Sequence, residues 1–204
     1  MTVELWIGKQ FDTSYERAAL DRFLNDMEYL FGNAEELYLV LADYYIDNRQ
    51  IDLTVLKKDA IIPIELKECH EPFQASENGE WITPNGHMLG TKDRNPFQQV
   101  YESRIKWFNL LKRNKELFSC LAIAQTDQPF WSSSCIVAIS PSLHPNTENK
   151  ISSNSWWFKL CGLDELAKTI GFKTNKWINF SDDELRNLVQ GLLFLKPKPH
   201  TTRK

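Results

Sequence analysis

Apolar and polar positions alternate along this chain in two different rhythms. From Thr13 to Phe31 (TSYERAALDRFLNDMEYLF) apolar residues fall at Ala19, Phe23, Met27 and Leu30. Those spacings predict a helix with one buried stripe. Thr13 or Ser14 can cap its start, with Glu16 and Arg17 in the first turn. Glu16 stands seven residues before Phe23, so the same periodicity sets an acid on the inward face. EELYLVLADYYI then reads as a strand rich in β-formers. After it the rhythm changes to two: QIDLTVL and AIIPIELK predict a β-hairpin around the polar turn KKDA.

Residues 69–94 form a long stretch with glycines at 79, 86 and 90 and prolines at 72 and 84. A connection of that length is expected to be a functional loop or lid, with room for a short hairpin around EWIT. NPFQQVYESRIKWFNLLKRNKELF predicts a long helix, with Asn95 as cap and Pro96 in the first helical position. SCLAIAQ, SCIVAIS and SWWFKLCG are candidate strands, and one of Trp156 and Trp157 should point into the core. LDELAKTIGF and SDDELRNLVQGLLFL predict two amphipathic helices, the second opened by a Ser181–Glu184 capping box. The order predicts an α/β (α+β) fold, a central mixed β-sheet flanked by helices. Residues 1–195 are expected to form one domain, and 196–204 (KPKPHTTRK) a basic, disordered tail.

Composition narrows the function classes. The chain has 204 residues, of which 42% are hydrophobic, enough for one full core. A formal net charge of −3 provides no global basic field, so any nucleic-acid binding must use a local patch or a metal. Cys69, Cys120, Cys135 and Cys161 are scattered, without a C-x-x-C pair, which suits reduced thiols and a cytoplasmic protein. The opening MTVELWIGKQ lacks an apolar core of signal-peptide length. No stretch approaches the ~18 apolar residues of a membrane span.

The hairpin carries the candidate chemistry. A turn centred between Lys58 and Asp59 pairs residues whose numbers sum to 117, placing Thr54 opposite Pro63 and Asp52 opposite Glu65. Side chains directly opposite have Cβ atoms roughly 4.5–5.5 Å apart, close enough for two carboxylates to repel. Lys67 shares the face of Glu65, while Ile62, Ile64 and Leu66 point the other way. One ammonium against Asp52, Glu65 and Glu16 leaves a deficit of positive charge, which a hard divalent cation would relieve. The plainer alternative is a strand-start cap at Asp52 and a solvated Glu65–Lys67 pair on an edge strand.

An acid in the first helix, then QID, IPIELK, GEWITPNG and NPFQQ in that order, resembles the PD-(D/E)xK nuclease superfamily. The resemblance is closer still to its NERD (nuclease-related domain) branch and spans roughly residues 13–195. It implies a restriction-endonuclease-like core and metal-dependent hydrolysis of DNA phosphodiester bonds. Asp52, Glu65 and the backbone carbonyl of Leu66 would hold Mg²⁺ or Mn²⁺. Lys67 would orient the attacking water, Glu16 would reach the metal through water or hold a second one, and Gln99 would bond near Lys67, with Gln98 as the alternative. Glu35 or Glu36 are alternatives for the helical acid. The expected partner is DNA, and a homodimer or a protein that delivers substrate stays open. So do a non-catalytic nucleic-acid-binding or scaffolding module of the same fold and an RNA-directed nuclease.

Lys92, Arg94, Arg104 and Lys106 are candidates for phosphate contacts. Lys112, Arg113 and Lys115 suit the solvated C-terminal end of a helix. Trp81 would either stack on a base or anchor its loop to the body. ECHE (Glu68–Glu71) lacks a second Cys/His pair for zinc, so His70 and Glu71 are expected to border the cleft.

Overall fold

The computed structural model describes residues 2–9 and 13–199. In chain order the elements begin with β1 (Val3–Ile7), α1 (Ser14–Phe31), β2 (Tyr38–Ile46), β3 (Arg49–Lys57) and β4 (Ala60–Glu68). Three two-residue strands follow: β5 (Gln74–Ala75), β6 (Trp81–Ile82) and β7 (Met88–Leu89). Next come α2 (Pro96–Arg113), α3 (Ser119–Ala122), β8 (Cys135–Ser140), β9 (Glu148–Asn149) and β10 (Phe158–Gly162). The chain finishes with α4 (Leu163–Gly171), α5 (Asp182–Asn187) and β11 (Lys196–Lys198).

One mixed sheet of seven strands, in the order β10-β8-β4-β3-β2-β1-β11, forms the centre. Antiparallel pairing joins β2 to β3 and β3 to β4, whereas β4 and β8, and β8 and β10, run parallel. Apolar side chains cover both faces. Phe23, Leu24 and Met27 of α1, with Leu166 and Ile170 of α4, pack on one face against Val40, Val55, Ile62 and Ile64. Trp107, Leu110 and Leu111 of α2 pack on the other against Leu39, Leu41, Leu56 and Ile61.

The local signals explain the elements. Thr13 caps α1 by accepting the Glu16 N–H at 3.2 Å. The buried stripe of α1 is Ala19, Leu20, Phe23, Leu24 and Met27; Leu30 is exposed, and Phe31 packs on the core in its place. Asn95 and Gln98 form a capping box at the start of α2, with Pro96 behind it. Ser181 and Glu184 do the same for α5, which runs into a π-helical turn at Leu188–Leu192. Trp157 is buried and Trp156 exposed.

Three expectations change. SCLAIAQ is no strand: Ser119–Ala122 form a short helix, with Phe118 and Leu121 buried under it. A short apolar run fits either state, and only packing arbitrates. The long stretch after β4 is not a free flap. Phe73, Ala75, Trp81 and Leu89 sink into a third apolar cluster with Phe97, Val100, Val137 and Trp157. A small hairpin, β6–β7, does form around EWIT. Lys196–Lys198, assigned to the tail, pair antiparallel with β1; residues 200–204 lie outside those described.

Candidate active site

Pairing between β3 and β4 runs from Lys57↔Ala60 to Leu53↔Ile64, the expected register. The ladder then stops, while β4 goes on pairing with β8 as far as Glu68↔Ser140. At that point β3 and its neighbour β2 both change face. Ala42 and Leu53 join the α1 side of the core, but Tyr44 and Ile51 join the α2 side. Between them Asp43 takes a left-handed φ of 44°, a conformation that Asp tolerates better than most residues. Asp43 is buried and accepts from Gln50 Nε2 at 2.6 Å.

The strands therefore open where the chemistry gathers. Asp52 does not pair with Glu65 through the backbone; its Oδ2 reaches into the opening and accepts the Leu66 N–H at 2.9 Å. The carboxylate takes the place of a strand carbonyl. In an extended strand the N–H and C=O of one residue point to the same side. The Leu66 carbonyl thus opens on the same side as Asp52.

Glu65, paired with Val137, lies on the α2 face and is buried. Its Oε1 accepts from Lys67 Nζ at 2.6 Å, and its Oε2 lies 3.9 Å from Arg49 Nη2. Burial pushes the Asp52 carboxyl well above the usual carboxylate range, and the charge of Glu65 adds to the effect. Lys67 and the Leu66 N–H pull the other way without offsetting it. Burial also opposes the charge on Lys67, but Glu65 and Asp52 outweigh it and hold the ammonium above its ordinary value.

The start of α1 faces this group from the opposite side of the sheet. Glu16 is half-buried, and its Oε2 accepts from Thr13 Oγ1 at 2.7 Å. Its charge reaches Asp52 and Lys67. Tyr15, not singled out from the sequence, has a buried hydroxyl without a hydrogen-bond partner. Burial, then Asp52, Glu68, Glu16 and Glu65, hold it protonated. It is a donor facing acids. Glu36 does not reach the site: it accepts from Tyr38 Oη at 2.9 Å and sits 3.7 Å from Lys57, at the other end of the hairpin.

At the start of α2 the two glutamines divide their tasks. Gln98 is consumed by the cap, its Oε1 accepting the Asn95 N–H at 3.1 Å. Gln99 is buried, and its Oε1 has no partner. Arg49 Nη2 donates to the Gln99 carbonyl at 3.1 Å, which ties this helix start to Glu65. Arg49 also escaped the sequence reading, since an arginine opening a strand carries no motif.

Of the expected nucleic-acid contacts, Arg94 and Lys106 line a cleft of about 490 Å³ beside Arg49. Lys92 and Arg94 line a second, smaller one. A third cleft is bordered by Lys67, His70 and Glu71, as expected, and by His87. Arg104 and Trp81 are corrected. Arg104 is buried, bonded to the carbonyls of Ser133 and Trp131, its guanidinium over the rings of Trp131 and Trp157. Trp81 is fully buried, stacked on Phe73 at 5.5 Å and donating to the Ser76 carbonyl at 2.8 Å. Arg104 ties the segment at Trp131–Ser133 to α2 and Trp81 anchors its own loop, so both are buried in packing.

Among the described residues no three His, Cys, Asp or Glu side chains converge tightly enough to hold a metal unaided. The donors on offer are two carboxylates and a main-chain carbonyl, all hard oxygens. The four cysteines are free, and no helix among the described residues is long and apolar enough to cross a membrane.

A mixed seven-stranded sheet flanked by helices, with acids and a lysine at the opened end of its central hairpin, defines an α/β protein of the restriction-endonuclease-like class. The model of one family, the nuclease-related domain (NERD), matches residues 15–129, more than half the chain. The chain belongs to that family. No curated protein and no solved structure matches it.

Proposed function

We propose that this protein is a metal-dependent nuclease that hydrolyses phosphodiester bonds of DNA. One observation carries the reading: at the opened end of the hairpin Glu65 accepts from Lys67 Nζ at 2.6 Å, and beside it the Asp52 carboxylate accepts the Leu66 N–H at 2.9 Å. A protein gains nothing in stability from two half-compensated carboxylates at the opened end of a hairpin. They suit an ion brought from solution.

Asp52, Glu65 and the Leu66 carbonyl would hold Mg²⁺ or Mn²⁺, with Glu16 acting through water. A cation bound there would polarise a phosphodiester oxygen and make an attacking hydroxide available near neutral pH. Lys67, charged and aligned by Glu65, donates to the phosphoryl oxygens as negative charge grows on them. Gln99 Oε1, buried and unpartnered, accepts a hydrogen bond from the attacking water and fixes its direction. The Tyr15 hydroxyl donates to a carboxylate or phosphate oxygen from the α1 side. Arg94, Lys106 and Lys92 line the clefts leading to the site and take backbone phosphates.

The test incubates purified protein with plasmid DNA, linear DNA and RNA, with Mg²⁺, Mn²⁺ or chelator, alongside Asp52→Asn and Lys67→Ala. Metal-dependent cutting of DNA that both substitutions abolish is the expected result. Equal activity in all three proteins overturns the reading, and cutting confined to RNA overturns its choice of substrate.

A further inference from the structure

The cleft lined by Arg49, Arg94 and Lys106 also holds Glu102, a carboxylate that the chemistry above does not use. Glu102 follows Gln99 by one helical turn, so both project from the same side of α2. Its Oε2 accepts from Arg94 Nη1 at 2.7 Å and lies 3.5 Å from Arg49 Nη1. One carboxylate oxygen between two guanidinium groups is the geometry in which arginines grip a phosphate oxygen. Arg49 is not fully satisfied by it, because its buried Nε has no partner. Besides Glu102 the cleft is lined by the cations Arg49, Arg94 and Lys106 and by the acid Asp47, and Glu65 stands 3.9 Å from Arg49 Nη2. Asp47 is already engaged, through its carboxylate with Arg113 at 3.0 Å and its carbonyl with Lys106 at 3.2 Å.

We propose that Glu102 occupies, in the free protein, the place of a backbone phosphate between Arg49 and Arg94. The cleft is then a phosphodiester-binding subsite guarded by an internal mimic. A nucleic-acid strand entering it displaces Glu102, and its phosphate takes over both guanidinium groups. Arg49 also reaches Glu65, so the gripped phosphate sits one guanidinium away from the candidate metal ligands. A mimic of this kind weakens non-specific association, since each strand must compete with a tethered anion. The proposal rests on the nucleic-acid part of the function proposed above, but not on turnover.

Binding is read without cutting in an Asp52→Asn background. Fluorescence anisotropy follows labelled duplex DNA, single-stranded DNA and RNA over a series of KCl concentrations. Glu102→Gln should tighten binding several-fold. Arg94→Gln should weaken it and lower the slope of log K against log salt by about one. With Arg94→Gln already present, Glu102→Gln should bring little further gain, because the two act at one point. Thermal melts verify that each variant is folded. Unchanged or weaker binding by folded Glu102→Gln overturns the proposal, as does absence of salt-sensitive binding to all three probes. Tightening by Glu102→Gln without any cutting by the native protein sinks the nuclease reading alone. Cutting together with an inert Glu102 sinks this one alone.

Discussion

Asp52 is the least comfortable residue of the site, and its discomfort is measurable. Burial and Glu65 raise its folded-state pKa above the unfolded value of about 3.9. The folded protein therefore binds more protons than the unfolded chain over that interval, and its stability falls as pH rises through it. Asp52→Asn keeps an acceptor for the Leu66 N–H but removes the charge. The variant should melt higher than the native protein without metal, by a margin that widens from about pH 5 to pH 8. Adding Mn²⁺ should raise the native melting temperature and leave the variant unmoved. A variant that melts lower at every pH would show Asp52 to be structural. Gln99 invites the same logic. An orphaned buried amide oxygen costs about 1–3 kcal/mol. Gln99→Leu should therefore hold or raise the melting temperature while cleavage collapses.

At the scale of elements, the long segment between β4 and α2 works as a buttress. Asn95 caps α2 and also donates from Nδ2 to the carbonyls of Gly79 and Glu77, at 2.7 and 3.2 Å. Asn95→Ala should cost about 1–2 kcal/mol in urea unfolding and speed amide exchange across residues 76–80. Trp81→Ala should cost about 3–5 kcal/mol, as expected of a fully buried ring. If Trp81 instead stacked on bases, the loss would appear in nucleic-acid affinity with stability spared. Much of this level was legible in the sequence: caps, periodic stripes and hairpin register are local, and Thr13, Asn95 and Ser181 announce them. What stayed hidden depends on distant neighbours. The face change at Asp43 and Asp52 has no compositional sign, because a single Asp in a strand-like run does not announce a left-handed φ such as that of Asp43. Arg49 and Tyr15 look like surface residues until α1 and α2 close over them. SCLAIAQ became helical because Phe118 and Leu121 had a pocket to fill.

For the molecule as a whole, both ends of the described chain meet at one border of the sheet. β11 lies outside β1, with exposed lysines at 196 and 198 around Pro197. Lysine and proline on an outer strand discourage another chain from pairing there. Removing residues 196–204 would bare the β1 edge, so the shortened protein should associate with rising concentration in size-exclusion chromatography.

The two-residue turn at Lys58 and Asp59 lies six residues from Glu65 along β4, roughly 20 Å away at a strand's rise. Yet it dictates which way that acid looks. One inserted residue there would rotate every later side chain of β4 by half a revolution, sending Glu65 and Lys67 under α1 and Leu66 to the α2 face. Chemistry at one tip of the hairpin is thus timed, like the teeth of a zipper, from the other. Tolerance to insertion at this innocuous polar corner should be as low as at any catalytic position.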